Sequence, residues 1–126
     1  MIALRAPVLI VEDDKDVRDC LGRALKGSGF DVLLAANGKA VLGLLKANKV
    51  SAVLLDIMMP DKDGLETLLE IKREFPRTTV VAMSGSKFDF LPTARKFGAD
   101  HVLAKPIHPA QLTALFDQIA SNAGAA

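Results

Sequence analysis

A chain of 126 residues, half of them hydrophobic, is long enough to bury a core as one domain over 1–126. It holds no apolar run near the ~18 residues that a membrane span needs. A net charge of +1, with no Trp and no Tyr, excludes the basic footprint and the stacking platform of a nucleic-acid binder. The lone Cys20 excludes an internal disulfide and suits a reducing cytoplasm. The start of the chain, Met1 to Pro7, is too short for a signal peptide.

Five short apolar runs alternate with five amphipathic segments. The runs are Pro7–Val11, Asp31–Ala36, Ala52–Leu55, Thr79–Met83 and Val102–Ala104. They are nearly continuous in apolar character, as strands covered on both faces of a parallel sheet must be. Helical spacing recurs between them: Val17, Leu21, Ala24 and Leu25; Val41, Leu44 and Leu45; Leu65, Leu68, Ile71 and Phe75; Leu112, Leu115, Phe116 and Ile119. Gly27 and Gly29 stop the first helix, Pro76 stops the third, and Pro109 fits the first turn of the last. Pro92 fits the first turn of a short fourth helix. Strict alternation predicts an α/β fold, a doubly wound five-stranded parallel sheet with right-handed crossovers and helices on both faces. There is no repeat or linker, and the tail 121–126 is expected to fray.

Chemistry gathers at the strand ends. Asp56 closes the third run, Glu12-Asp13-Asp14 follows the first, and Met59-Pro60 through Gly64 reads as loop. In a parallel sheet these carboxyl ends share one edge, where open α/β sheets place their ligands. Converging carboxylates repel unless a cation joins them, and a few hard oxygen donors with room for water and phosphate suit Mg²⁺. Asp14 and Asp16 have a plainer use as caps of the first helix. Glu12 and Asp13 precede that helix, so capping does not account for them. The fourth run ends in Ser84-Gly85-Ser86 and the fifth in Lys105-Pro106. Singly these are ordinary turns, but together they add a hydroxyl and a point charge to the acidic edge.

The stretches Val8-Leu9-Ile10-Val11-Glu12-Asp13-Asp14, Leu55-Asp56-Ile57-Met58-Met59-Pro60-Asp61-Lys62-Asp63-Gly64, Ala82-Met83-Ser84-Gly85 and Gly98-Ala99-Asp100 to Ala104-Lys105-Pro106 resemble a two-component response-regulator receiver domain of the chemotaxis-regulator kind, over nearly the whole chain. The resemblance implies a flavodoxin-like (βα)5 fold with Asp56 as phosphoacceptor. It implies that Glu12, Asp13, Asp56 and the Met58 backbone carbonyl hold Mg²⁺, that Ser84 bonds the phosphoryl group and that Lys105 contacts it. A cis Lys105–Pro106 bond is also implied, and X-Pro makes it affordable. The implied partners are a sensor histidine kinase or a histidine phosphotransfer protein. An effector or a second copy would then meet the face formed by helix 4, strand 5 and helix 5. Direct nucleic-acid or membrane contact is not implied.

One position departs from the family. An aromatic ring often stands three residues before the lysine, where this chain has Val102. A short, β-branched side chain cannot serve as a swinging ring, so the signal is expected in the Ser84–Phe90 loop and the start of the fourth helix. Cys20 reads as a small buried hydrophobe. His101 and His108 lack metal spacing and read as surface residues. Phe88, Phe90 and Phe97 read as core packing.

A signalling switch is therefore the leading reading, with the chain itself not an enzyme. The rival is an aspartyl-phosphate phosphohydrolase, which needs a second acid two residues after its nucleophile. Met58 stands there, and a thioether transfers no proton. A phosphorylation-independent interaction module on the same fold would leave the acidic set without a use.

Overall fold

The computed structural model describes residues 6–58, 64–85 and 91–125. Strands β1 (Val8–Val11), β2 (Val32–Ala35), β3 (Ala52–Asp56), β4 (Thr79–Ser84) and β5 (His101–Ala104) alternate with helices α1 (Lys15–Gly27), α2 (Val41–Ala47), α3 (Gly64–Glu74), α4 (Leu91–Lys96) and α5 (Pro109–Ala125). A 3₁₀ turn over Gly38–Ala40 leads into α2, and the Asn37 side chain caps it by accepting from the Lys39 N–H at 3.0 Å. All strand pairings are parallel, in the order β2-β1-β3-β4-β5. The order reverses between β1 and β3, which makes that crevice the switch point of the sheet.

Alternation along the strands decides which helices they carry. Leu9, Val11, Val53, Leu55, Val80 and Ala82 pack with Val41, Leu45, Leu68, Ile71 and Ala94, from α2, α3 and α4. Their neighbours Val8, Ile10, Ala52, Leu54, Val81 and Met83 pack with Leu21, Leu25, Leu112 and Phe116, from α1 and α5. Adjacent strand residues point to opposite faces, so an unbroken apolar run is the pattern a two-sided sheet requires. Phe30 meets Phe116 edge-to-face at 6.2 Å on the second side. Each fully buried Leu, Ile or Phe contributes roughly 1.5–3 kcal/mol. The exposed Lys15–Asp19 pair at 2.7 Å is screened by solvent and adds little, so the core decides stability.

Glycine ends two helices in the same way. After α1, Gly29 adopts φ 90° and donates to Lys26 O at 3.0 Å, while Phe30 N–H reaches Leu25 O at 3.0 Å. After α4, Gly98 adopts φ 108° and donates to Arg95 O, and Ala99 N–H reaches Ala94 O, both at 3.0 Å. Each is a Schellman closure with its apolar pair, Leu25 with Phe30 and Ala94 with Ala99, in the core.

Several sequence expectations need correction. Strand limits shift by a residue or so. Pro7 has no N–H and falls outside β1, although its carbonyl accepts from Ser51 N–H at 2.9 Å. Helix α5 extends to Ala125. Cys20 is exposed, not buried. The inward stripe of α1 centres on Leu21, Gly22 and Leu25, and at 100° per residue position 20 falls outside it. His101, expected at the surface, is half-buried and opens β5, while His108 is exposed as expected. Phe97 packs against the core. The expectations for residues 59–63 and 86–90, including Phe88 and Phe90, lie outside the described residues.

Candidate functional site

Register brings the acidic groups together. Val11 pairs with Leu55, so Glu12, one residue on, is level with Asp56. The Glu12 N–H extends the ladder to Ala35 O at 3.1 Å, and Ile57 N–H bonds Met83 O at 3.0 Å. Glu12 is 1% exposed and Asp56 2%, whereas Asp13 is exposed at the rim. Carboxylate oxygens of Glu12, Asp13 and Asp56 lie within 4.8 Å of one another.

Burying two ionised carboxylates side by side is unfavourable unless positive charge or hydrogen bonds meet them. Lys105 reaches both, with its Nζ 2.5 Å from Glu12 Oε1 and 3.0 Å from Asp56 Oδ2. The other Asp56 oxygen accepts from Met58 N–H at 2.8 Å, and Glu12 Oε2 accepts from Asp14 N–H at 3.2 Å. Burial works against the Lys105 ammonium, but the bonds to Glu12 and Asp56 outweigh it and hold the group above the ordinary lysine range. Burial, then the Glu12 carboxylate beside it, pushes Asp13 above the usual carboxylate range. Three acids and one ammonium leave the cluster negative, and hard oxygen donors at this spacing fit a small divalent cation.

Neighbouring strands supply the rest of the edge. Ser84 is buried at the end of β4 and pairs in register with Ala104, and its carbonyl accepts from Lys105 N–H at 2.9 Å. The Lys105–Pro106 peptide bond is cis, as the resemblance implies. Asp14 does what capping demands, its Oδ1 accepting from Asp16 and Val17 N–H groups at 2.9 and 3.2 Å. Met58 is 46% exposed, and Val102 is half-buried against the core.

Arg18, which the sequence left unremarked, and Gly64, expected there as the end of a loop, shape this edge. Arg18 on α1 donates to the backbone carbonyl of Glu12 at 2.8 Å and to that of Asp13 at 3.5 Å. A cation close to the positive end of a helix is the signal that could have drawn notice. Gly64, the first residue of α3, lies against the end of β3: a Cβ there would overlap Ile57 Cα and stand 2.5 Å from the Asp56 carbonyl oxygen. Both obstacles are backbone and cannot swing away. Gly64→Ala is therefore expected to lower stability by about 1–3 kcal/mol, read as a lower urea midpoint. An unchanged midpoint would show that α3 tolerates the side chain.

The family model for the response regulator receiver domain matches residues 8–117. The chain belongs to the response-regulator receiver family. As a receiver it is 38% identical over 109 residues to the transcriptional regulatory protein CpxR of Klebsiella pneumoniae, covering 85% of this chain and 46% of that protein. It is 35% identical over 119 residues to the DNA-binding transcriptional regulator NtrC of Salmonella typhimurium, covering 94% of this chain and 25% of that one. The receiver thus spans about half of one curated relative and a quarter of the other. Among solved structures, the receiver domain of the Francisella response regulator 1452 superposes with a TM-score of 0.87 at 25% identity, covering 94% of this chain and 99% of that one. A CheY-like receiver domain protein from Methanospirillum hungatei gives 0.86 at 23% identity, over 97% and 99% of the two chains, which speaks for the fold alone. No helix among the described residues is long and apolar enough to cross a membrane.

Proposed function

We propose that this receiver is the phosphoacceptor switch of a two-component phosphorelay and that Asp56 takes the phosphoryl group. The observation that carries the reading is a buried Asp56 with one oxygen on Met58 N–H and the other on Lys105. A carboxylate oxygen of Asp56 forms the new O–P bond as the N–P bond of a partner phosphohistidine breaks, and the imidazole keeps the electron pair. Lys105 offsets charge on the transferring oxygens, and the Ser84 hydroxyl donates to one of them. Mg²⁺ held by Glu12, Asp13, Asp56 and the Met58 carbonyl would neutralise phosphoryl charge. The donor is a cytoplasmic sensor kinase or phosphotransfer protein. Output passes to an effector or a second copy through the α4, β5 and α5 face. The phosphohydrolase alternative fits less well, because the residue two beyond Asp56 is a half-exposed thioether with no proton to give.

Incubation with acetyl phosphate and Mg²⁺ followed by intact-mass measurement tests the reading: one phosphate per chain is expected, and none would end it. Metal binding tests its other half. Asp13→Ala is expected to weaken Mg²⁺ by at least about tenfold in a calorimetric titration. Asp14→Ala is expected to leave metal affinity in place and cost about 1 kcal/mol of helix capping. Equal affinities in Asp13→Ala and the parent would remove Asp13 from the site.

A further inference from the structure

The edge opposite the acidic cluster carries a cavity of about 470 Å³, between the turn that follows α2 and the turn that follows α3. Leu45, Val50 and Phe75 form its apolar part, and Lys46, Lys49 and Arg77 bring three cations, with no acidic residue in the lining. Leu45 belongs to the core, with Val50 and Phe75 packed against it, so this floor is anchored. The cations are exposed. Among the described residues, none of the three has a carboxylate within ion-pair distance. Lys72 provides the contrast. At the start of β4 it donates to Asp100 Oδ2 and to Thr78 O, each at 2.7 Å, and the same Asp100 oxygen accepts from Val80 N–H at 2.8 Å. That cation is committed to the fold; Lys46, Lys49 and Arg77 are not.

We propose that this groove docks an acidic peptide segment of a partner protein, with an apolar residue seated on Leu45, Val50 and Phe75 and carboxylates meeting Lys46, Lys49 and Arg77. Charge decides for carboxylates. The form of the site decides against a compact polyphosphate. Helices α2 and α3 both end here, so their carbonyl ends face the groove with the negative pole of the helix dipole. No glycine-rich loop offers a cradle of N–H groups. Carboxylates spread along a peptide can meet the exposed cations one at a time, away from those carbonyls, while one apolar side chain fills the floor. This proposal does not depend on phosphate uptake by Asp56, because the groove lies at the other edge of the sheet.

The probe is a short synthetic peptide of glutamates interspersed with leucine and phenylalanine, titrated into the isotope-labelled chain without Mg²⁺ or phosphate donor. Amide shifts are expected at residues 45–50 and 75–78, with affinity falling as salt rises. The combined variant Lys46→Glu, Lys49→Glu and Arg77→Glu, all at exposed positions, is expected to weaken binding roughly tenfold or more, with an unchanged urea midpoint showing an intact fold. Absence of shifts, shifts confined to the acidic edge, or equal affinity in the variant would overturn the proposal. So would groove shifts produced by ADP and not by the peptide, which assign a nucleotide. Concentration-dependent sedimentation that the triple variant abolishes would assign the groove to a second copy instead.

Discussion

Asp56→Asn is expected to take up no phosphate above background from acetyl phosphate, with or without Mg²⁺, while remaining folded. The amide has one oxygen where the carboxylate has two, so it keeps either the Met58 N–H or the Lys105 contact and loses the other. It also removes one of three carboxylates that crowd within 4.8 Å. Those effects oppose each other, and a net change within about 1 kcal/mol follows. Loss of uptake therefore cannot be laid to unfolding, and equal urea midpoints for variant and parent establish that directly. Nucleophilicity, by contrast, is lost outright, because a neutral amide has no anionic oxygen with which to attack phosphorus. Undiminished incorporation in Asp56→Asn would move the acceptor elsewhere, with Asp13 the first place to look.

The fold was legible because the central strands β1, β3 and β4 are buried on both sides almost throughout. A run such as Val8 to Val11, with every residue at 0% exposure, leaves little room for another reading once helices with clear apolar stripes lie between such runs. Convergence of Glu12, Asp13 and Asp56 was legible for the same reason: parallel strands bring their carboxyl ends to one edge. What the sequence could not carry is contact between backbone and side chain across elements. The closeness of Gly64 to Ile57 and Asp56 depends on how α3 leaves the loop. The bonds from Arg18 to the carbonyls of Glu12 and Asp13 depend on a long side chain folding back. Cys20 went astray through rotation alone, a small residue beside an apolar stripe without being in it. The basic groove was illegible because Leu45 to Val50 and Phe75 to Arg77 lie far apart in the chain, and each passes singly for an ordinary helix end.

Lys105→Met is expected to act on stability and on signalling at once. In the parent, Lys105 stands between Glu12 and Asp56, both almost wholly buried. Methionine keeps a comparable unbranched stem, and Gly85 opposite could accept no Cβ without crowding the Lys105 side chain at 3.2 Å. Packing is thus largely conserved and charge is what changes. Without the ammonium, three carboxylates within 4.8 Å face one another with no other ion-pairing side chain among the described residues. Removing one partner from a buried, hydrogen-bonded charge set costs about 1–3 kcal/mol or more. In chelator the urea midpoint of Lys105→Met should accordingly fall below that of the parent. Mg²⁺ should restore more stability to the variant than to the parent, since an added cation then replaces the missing one. Uptake of phosphate, or the change in partner binding that follows it, should still fail, because charge on the transferring oxygens loses its contact with Lys105. Lys105→Arg is the useful companion: it keeps the charge, but its planar fork does not reproduce a single Nζ reaching two carboxylates, so stability should recover more than transfer. Equal midpoints for Lys105→Met and the parent in chelator, together with parental transfer and partner binding, would strip Lys105 of the role assigned to it.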